Sequence, residues 1–183
     1  MKYCATITFL FILTSCAERY YTNDSGAVRP VKKDVFSYKK SFTTFSSLID
    51  TNAVYIRHSQ YLYSNGTKDF YEYYKFFGSG QMICSGSDTI LDLSKADDLN
   101  KGIIGRYYFK DEQLRIQLFY IESISRHISK IYGFVKDGNV YTYRDSPETW
   151  YGSYSLTKSF SGKNIQEWKR QSLVFKFSQK PDW

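Results

Sequence analysis

Four short turn signals, each set between runs of aromatic and β-branched residues, restrict this chain more than any other feature. Asn65-Gly66 in LYSNGTKDF, Gly78-Ser79-Gly80 in KFFGSGQMI, Lys110-Asp111 in YYFKDEQLRI and Asp137-Gly138 in FVKDGNVYTY all fall between Leu62 and Tyr143. Such residues supply the positive φ of tight antiparallel connections, and their Tyr, Phe, Val and Ile flanks favour pleated strands. The spacing therefore predicts an antiparallel meander.

Alternation supports the meander where it can be read. In QLRIQLFYI, Leu114, Ile116, Leu118 and Tyr120 share one face, and Gln113, Arg115 and Gln117 share the other. In NVYTYR, Val140 and Thr142 oppose Tyr141 and Tyr143. Half-buried strands require this period of two. The run DFYEYYKFF carries rings on both faces, which predicts a central strand, with Phe76 and Phe77 each contributing as a buried phenylalanine does. Helical content is small: LSKADDLNKG and KNIQEWKRQ each suffice for two turns. A meander of about eight strands with one apolar face must close, stack on a second sheet or expose its edges. The fold expected is all-β, closed or partly closed into a barrel, with one or two short helices.

The N-terminus predicts where such a barrel resides. After Met1 and Lys2 the uncharged run YCATITFLFIL reaches Thr14, Ser15 and Cys16. A basic residue, an apolar stretch and small residues before a break are the parts of a secretory signal. The stretch is shorter than the roughly 18 to 20 residues a spanning helix needs. LTSC, Leu13 to Cys16, resembles the lipobox of bacterial lipoproteins. The resemblance implies that residues 1–15 are cleaved and that Cys16 carries the acyl anchor. Residues 16–40, with turn formers, a proline and several lysines and arginines, are expected to form the lipidated end and a flexible tether, and residues 41–183 the single barrel domain. Cys4 leaves with the leader and Cys16 is lipidated. Cys84 in GQMICSG then reads as a small apolar strand residue, with a reactive thiol as the alternative.

The segments LIDTNAVYI, YEYYKFFGSGQMI, GIIGRYYFKDEQLRIQLFY and YGFVKDGNVYTYR resemble the strand series of small lipocalin-like lipoproteins of Bacteroidetes. That resemblance covers residues 48 to 144 and implies a lipocalin-like barrel. Ala17 after the lipidated cysteine lacks the aspartate that retains lipoproteins at the inner membrane in the best-known sorting system. An outer-membrane position follows, on the periplasmic face or the cell surface.

Residues that carry chemistry are few. His58 in YIRHSQ and His127 in SRHISK read as surface or edge residues, and no HxxxH, CxxC or acidic cluster points to a metal. GSGQMICSGSD lacks the lysine and following helix of a phosphate cradle, and Asp97-Asp98 reads as a solvated pair. Asn23-Asp24-Ser25, Asn65-Gly66-Thr67 and Asp88-Thr89-Ile90 match glycosylation patterns and read as turns. No catalytic residue, metal or cofactor is therefore expected, and the chain is not read as an enzyme. The net charge of +7 is dispersed, and export argues against nucleic acid; anionic lipid or polysaccharide suits it better. Two functional classes fit. One is a binding module that takes a small apolar or amphipathic molecule in the barrel. The other is a structural or protein-interaction module of the envelope with a filled core.

Overall fold

The computed structural model describes residues 20–23, 26–31, 35–36, 48–64, 66–90, 102–110, 112–122, 125–144 and 165–172. Two short strands come first, β1 (Tyr20–Thr22) and β2 (Val28–Pro30). Eight more follow: β3 (Ala53–Tyr63), β4 (Gly66–Phe76), β5 (Gln81–Ser87), β6 (Ile103–Lys110), β7 (Gln113–Glu122), β8 (Ser125–Lys136), β9 (Asn139–Arg144) and β10 (Gln166–Ser172). Strands β3 to β10 form a closed antiparallel barrel, each beside its neighbour in sequence, with β10 returning to pair with β3. Closure removes the sheet edges that an open meander would expose.

The turns fall where the sequence places them. Asp137 and Gly138 have φ of 50° and 77°, and Lys136 pairs with Asn139 across them. This is the two-residue connection whose twist matches its strands. Gly66 and Gly80 also take positive φ beside the β3–β4 and β4–β5 turns. Asn65 and Asp111 lie outside the described residues.

Alternation directs one set of side chains inward. Tyr55, Tyr74, Phe76, Met82, Tyr107, Phe109, Leu114, Ile116, Leu118, Ile131, Val140 and Trp168 form one buried cluster. Tyr141 and Tyr143 face outward, opposite in direction to Val140 and Thr142. Strand β4 is buried on both faces at its C-terminal half, with Tyr74 and Phe76 inside and Tyr73 and Lys75 covered outside. Phe76 and Phe77 are not equivalent: Phe76 is the last residue of β4 and fully buried, whereas Phe77 begins the turn and is half-buried. Ile49 caps the cluster at the end where β3 begins.

Two expectations are corrected. KNIQEWKRQ supplies β10, not a helix, and no helix occurs among the described residues. Strand geometry turns Trp168 inward between Glu167 and Lys169, and the pairing of β10 with both β3 and β9 outweighs the weak local preference. The other helical candidate lies almost wholly outside the described residues. The expected tether over residues 16–40 is not free chain in its described part. Strands β1 and β2 pair, and Tyr20, Val28, Val35 and Phe36 pack against Ile104, Phe119, Ile121 and Ile128 on the outer wall. Arg29 donates to the Gly102 carbonyl at 3.1 Å, and the Arg106 guanidinium lies over the Phe36 ring.

Candidate binding cup

The inward-facing residues change character at one level of the barrel. Below it Tyr55, Tyr74, Met82, Leu118, Ile131 and Trp168 are buried. One step higher on the same faces stand Arg57, Glu72, Cys84, Tyr120, Ser129 and Gln166, all half-buried. The upper inward face is therefore a half-buried, largely polar tier, the cup, over an aromatic floor, at the end that holds the β3–β4 and β7–β8 connections.

The floor is a stack. Tyr74 and Trp168 lie face to face with centroids 3.6 Å apart, and Trp168 Nε1 donates to Thr142 Oγ1 at 2.7 Å. The Arg57 guanidinium sits 5.5 Å above the indole, an attractive placement over a π face. Arg57 forms an ion pair with Glu72, its partner across the β3–β4 ladder. Arg57 Nε is buried and meets no hydrogen-bond partner. A buried donor left in this state costs about 1–3 kcal/mol. Glu72 thus neutralises the guanidinium without satisfying all its donors.

The walls above the pair mix apolar and polar groups. Phe70 lies over Gly86, where an added Cβ would come within 2.7 Å of its ring, and stands edge-on to Tyr61 at 5.8 Å. Ser59 Oγ donates to the Phe70 carbonyl. Tyr120 and His127 pair across β7 and β8 with rings 5.4 Å apart.

The residues singled out from sequence fall in different places. Cys84 faces inward on β5, opposite Tyr74, and packs against the core cluster. His127 is at the rim of the cup, whereas His58 is exposed on the outer face, 2.7 Å from Asp69 and stacked on Tyr71. Gln60 and His58 hold the Asp69 carboxyl below the usual carboxylate range. Thr89 is exposed beyond β5, and its carbonyl accepts from Tyr73. Cys16, Asp97 and Asp98 lie outside the described residues. Among the described residues no group of three His, Cys, Asp or Glu side chains is placed to hold a metal.

Arg57 and Glu72 were not singled out from sequence, although a signal was present. The hairpin at Asn65-Gly66 pairs Tyr63 with Gly66, and counting back along both strands sets Arg57 opposite Glu72. Comparison with protein-family models, with curated proteins and with solved structures gave no match.

Proposed function

We propose that this domain is a non-catalytic binding module that takes a small amphipathic molecule into the cup. The ligand's polar group meets Arg57 and Glu72, and its apolar part lies along Phe70, Tyr120 and the Trp168 floor. The module belongs to a lipoprotein acylated at Cys16 and held at the outer membrane. The observation that carries the reading is the buried, unpartnered Nε of Arg57 beside an ion pair inside a barrel. An enclosed ion pair is no more stabilising than well-packed apolar residues of the same volume, so stability alone does not account for its presence. An acceptor oxygen on a ligand would complete the guanidinium's bonds. Mixed apolar walls with a few convergent polar groups are the usual lining of small-molecule sites.

Titration of the full chain with a fluorescent fatty-acid analogue, followed by quenching of tryptophan emission, tests this. Saturable binding of one molecule per chain is expected, weakened about tenfold or more in Arg57→Met, as loss of a charge-assisted bond of about 1.5 kcal/mol or more implies. Absence of saturable binding, or equal affinity in the variant, would refute it and favour the filled interaction module.

A further inference from the structure

The β3–β4 ribbon is longer than the barrel requires. Pairing of β10 with β3 ends at Ile56, and pairing of β4 with β5 ends at Tyr71. Beyond them the five pairs from Ser59–Phe70 to Tyr63–Gly66 have no flanking strand among the described residues. At 3.3 Å per residue the ribbon continues about 16 Å past its neighbours. Its end carries Tyr61 and Tyr63, about half exposed, and Leu62, which is 86% exposed. Lys68 stands over the Tyr63 ring at 5.3 Å. Ile103, the first residue of β6, and Ile165, just before β10, are also exposed at the same end of the barrel.

A solvent-facing leucine between two tyrosines, with a lysine beside them, is costly in water and suited to a lipid headgroup layer. Tyrosine places a ring in the apolar zone and its hydroxyl in the wet one, and lysine extends its ammonium to the phosphates. The N-terminal hairpin indicates which surface is close. It packs on Ile104, Phe119, Ile121 and Ile128, near the starts of β6 and β8 and the end of β7, which is the end that bears the ribbon tip. Three residues lie between Cys16 and Tyr20, so the four chain steps put the lipobox cysteine within about 14 Å of Tyr20. A membrane holding Cys16 is thus at the cup end of the barrel.

We propose that the barrel docks cup-end down on a phospholipid bilayer, with Tyr61, Leu62 and Tyr63 entering the interfacial layer. The cup then opens toward the membrane, where amphipathic molecules reside. This orientation rests on the N-terminal membrane attachment and not on the cup's being a binding site.

The test reconstitutes the full chain in vesicles of phosphatidylethanolamine and phosphatidylglycerol. The apolar leader or the acylated cysteine holds it there in either case, and the mass of the chain reports which. A nitrobenzoxadiazole dye is attached at Leu62→Cys or, at the opposite end, at Lys110→Cys, both with Cys4 and Cys84 changed to Ser; where the mass shows the leader uncut and Cys16 unacylated, Cys16 is changed to Ser as well. Doxyl-labelled lipids are expected to quench the dye at position 62 several-fold more than at position 110. With the dye moved to Thr67→Cys, changing Leu62 and Tyr63 together to Ser should sharply reduce its quenching. Equal quenching at the two ends would overturn the proposal. So would a position-62 dye already blue-shifted in detergent and unmoved by vesicles, because the chain itself or a second copy would then cover the tip. Tryptophan quenching by the fatty-acid analogue, measured on the Leu62→Ser, Tyr63→Ser variant, which keeps Tyr61 in the cup wall, should be unchanged, which separates failure of docking from failure of the cup.

Discussion

Replacing Phe76 with Ala tests whether the lower half of the barrel is the source of its stability. The ring is fully buried and meets three others edge-on, Tyr55 at 5.5 Å, Tyr74 at 5.9 Å and Tyr107 at 4.8 Å. Phenylalanine-to-alanine changes in cores cost about 3–5 kcal/mol, and each edge-on pair adds about 0.5–1.5 kcal/mol beyond area burial. The partners are strand residues that cannot move in to fill the space, so a loss near 5 kcal/mol is expected. That is a large part of the roughly 5–15 kcal/mol of an ordinary domain. With a urea slope of about 2 kcal/mol/M, the midpoint should fall by about 2.5 M, or the variant should be unfolded without denaturant. Phe77→Ala is the internal control. That residue is half-buried at the turn, and a loss of about 1 kcal/mol is expected. Urea titrations followed by circular dichroism measure both. A Phe76→Ala loss below about 2 kcal/mol, or equal losses at the two positions, would refute the packing argument.

Other perturbations probe separate parts of the molecule. Cys16→Ala should abolish incorporation of a radiolabelled fatty acid, and persistent label would exclude the lipobox reading. Gly133→Ala should destabilise strongly, because the new Cβ would lie 2.3 Å from the Tyr141 carbonyl oxygen of the neighbouring strand; an unchanged melting temperature would show that β8 and β9 part easily. Burial lowers the Lys75 ammonium to about 8, with Asp50 acting in the opposite direction. The unfolded chain keeps that proton up to about 10.5, so folding releases it between these values and stability contributed by Lys75 rises with pH through that window. Burial raises the Tyr55 and Tyr107 hydroxyls, whose contribution is full below pH 10 and is lost above it as the unfolded tyrosines ionise. Urea midpoints from about pH 7 to about pH 10 should climb in the native chain and climb less in Lys75→Met; parallel curves would remove Lys75 as the cause.

Turn chemistry and alternation made the barrel legible because both are local. Asp137-Gly138 requires a tight reversal whatever surrounds it, and Leu114, Ile116 and Leu118 recur at every second position because their face of β7 lines the core. Strand β10 was hidden for the converse reason. Its outward residues Glu167, Lys169 and Gln171 are polar, and of its inward residues Trp168 alone joins the core, so one ring in seven residues carries no period. Strands β1 and β2, three residues each, are too short for a pattern, and their burial depends on a wall made by distant strands. The cup was hidden because Arg57 and Glu72 are ordinary surface types whose inward direction follows from register across the hairpin.

The N-terminal hairpin and the cup are connected through the wall between them. A strand keeps its place when at least one face is dry. In the lower half β6, β7 and β8 satisfy this inside, through Tyr107, Phe109, Leu114, Ile116 and Ile131. At the level of the cup the inner faces of β7 and β8 carry half-buried Tyr120, His127 and Ser129, so the interior cannot supply the burial. There the outer faces supply it instead. Ile104 and Phe119 are buried beneath Phe36, with Tyr20, Val28 and Val35 packed beside them. The described part of the segment read from sequence as a spacer is thus an external buttress, placed at the level where the inward residues are half-buried. The coincidence of an outer brace with an inner polar tier at one level is the structural reason for placing the candidate site in the upper half of the interior.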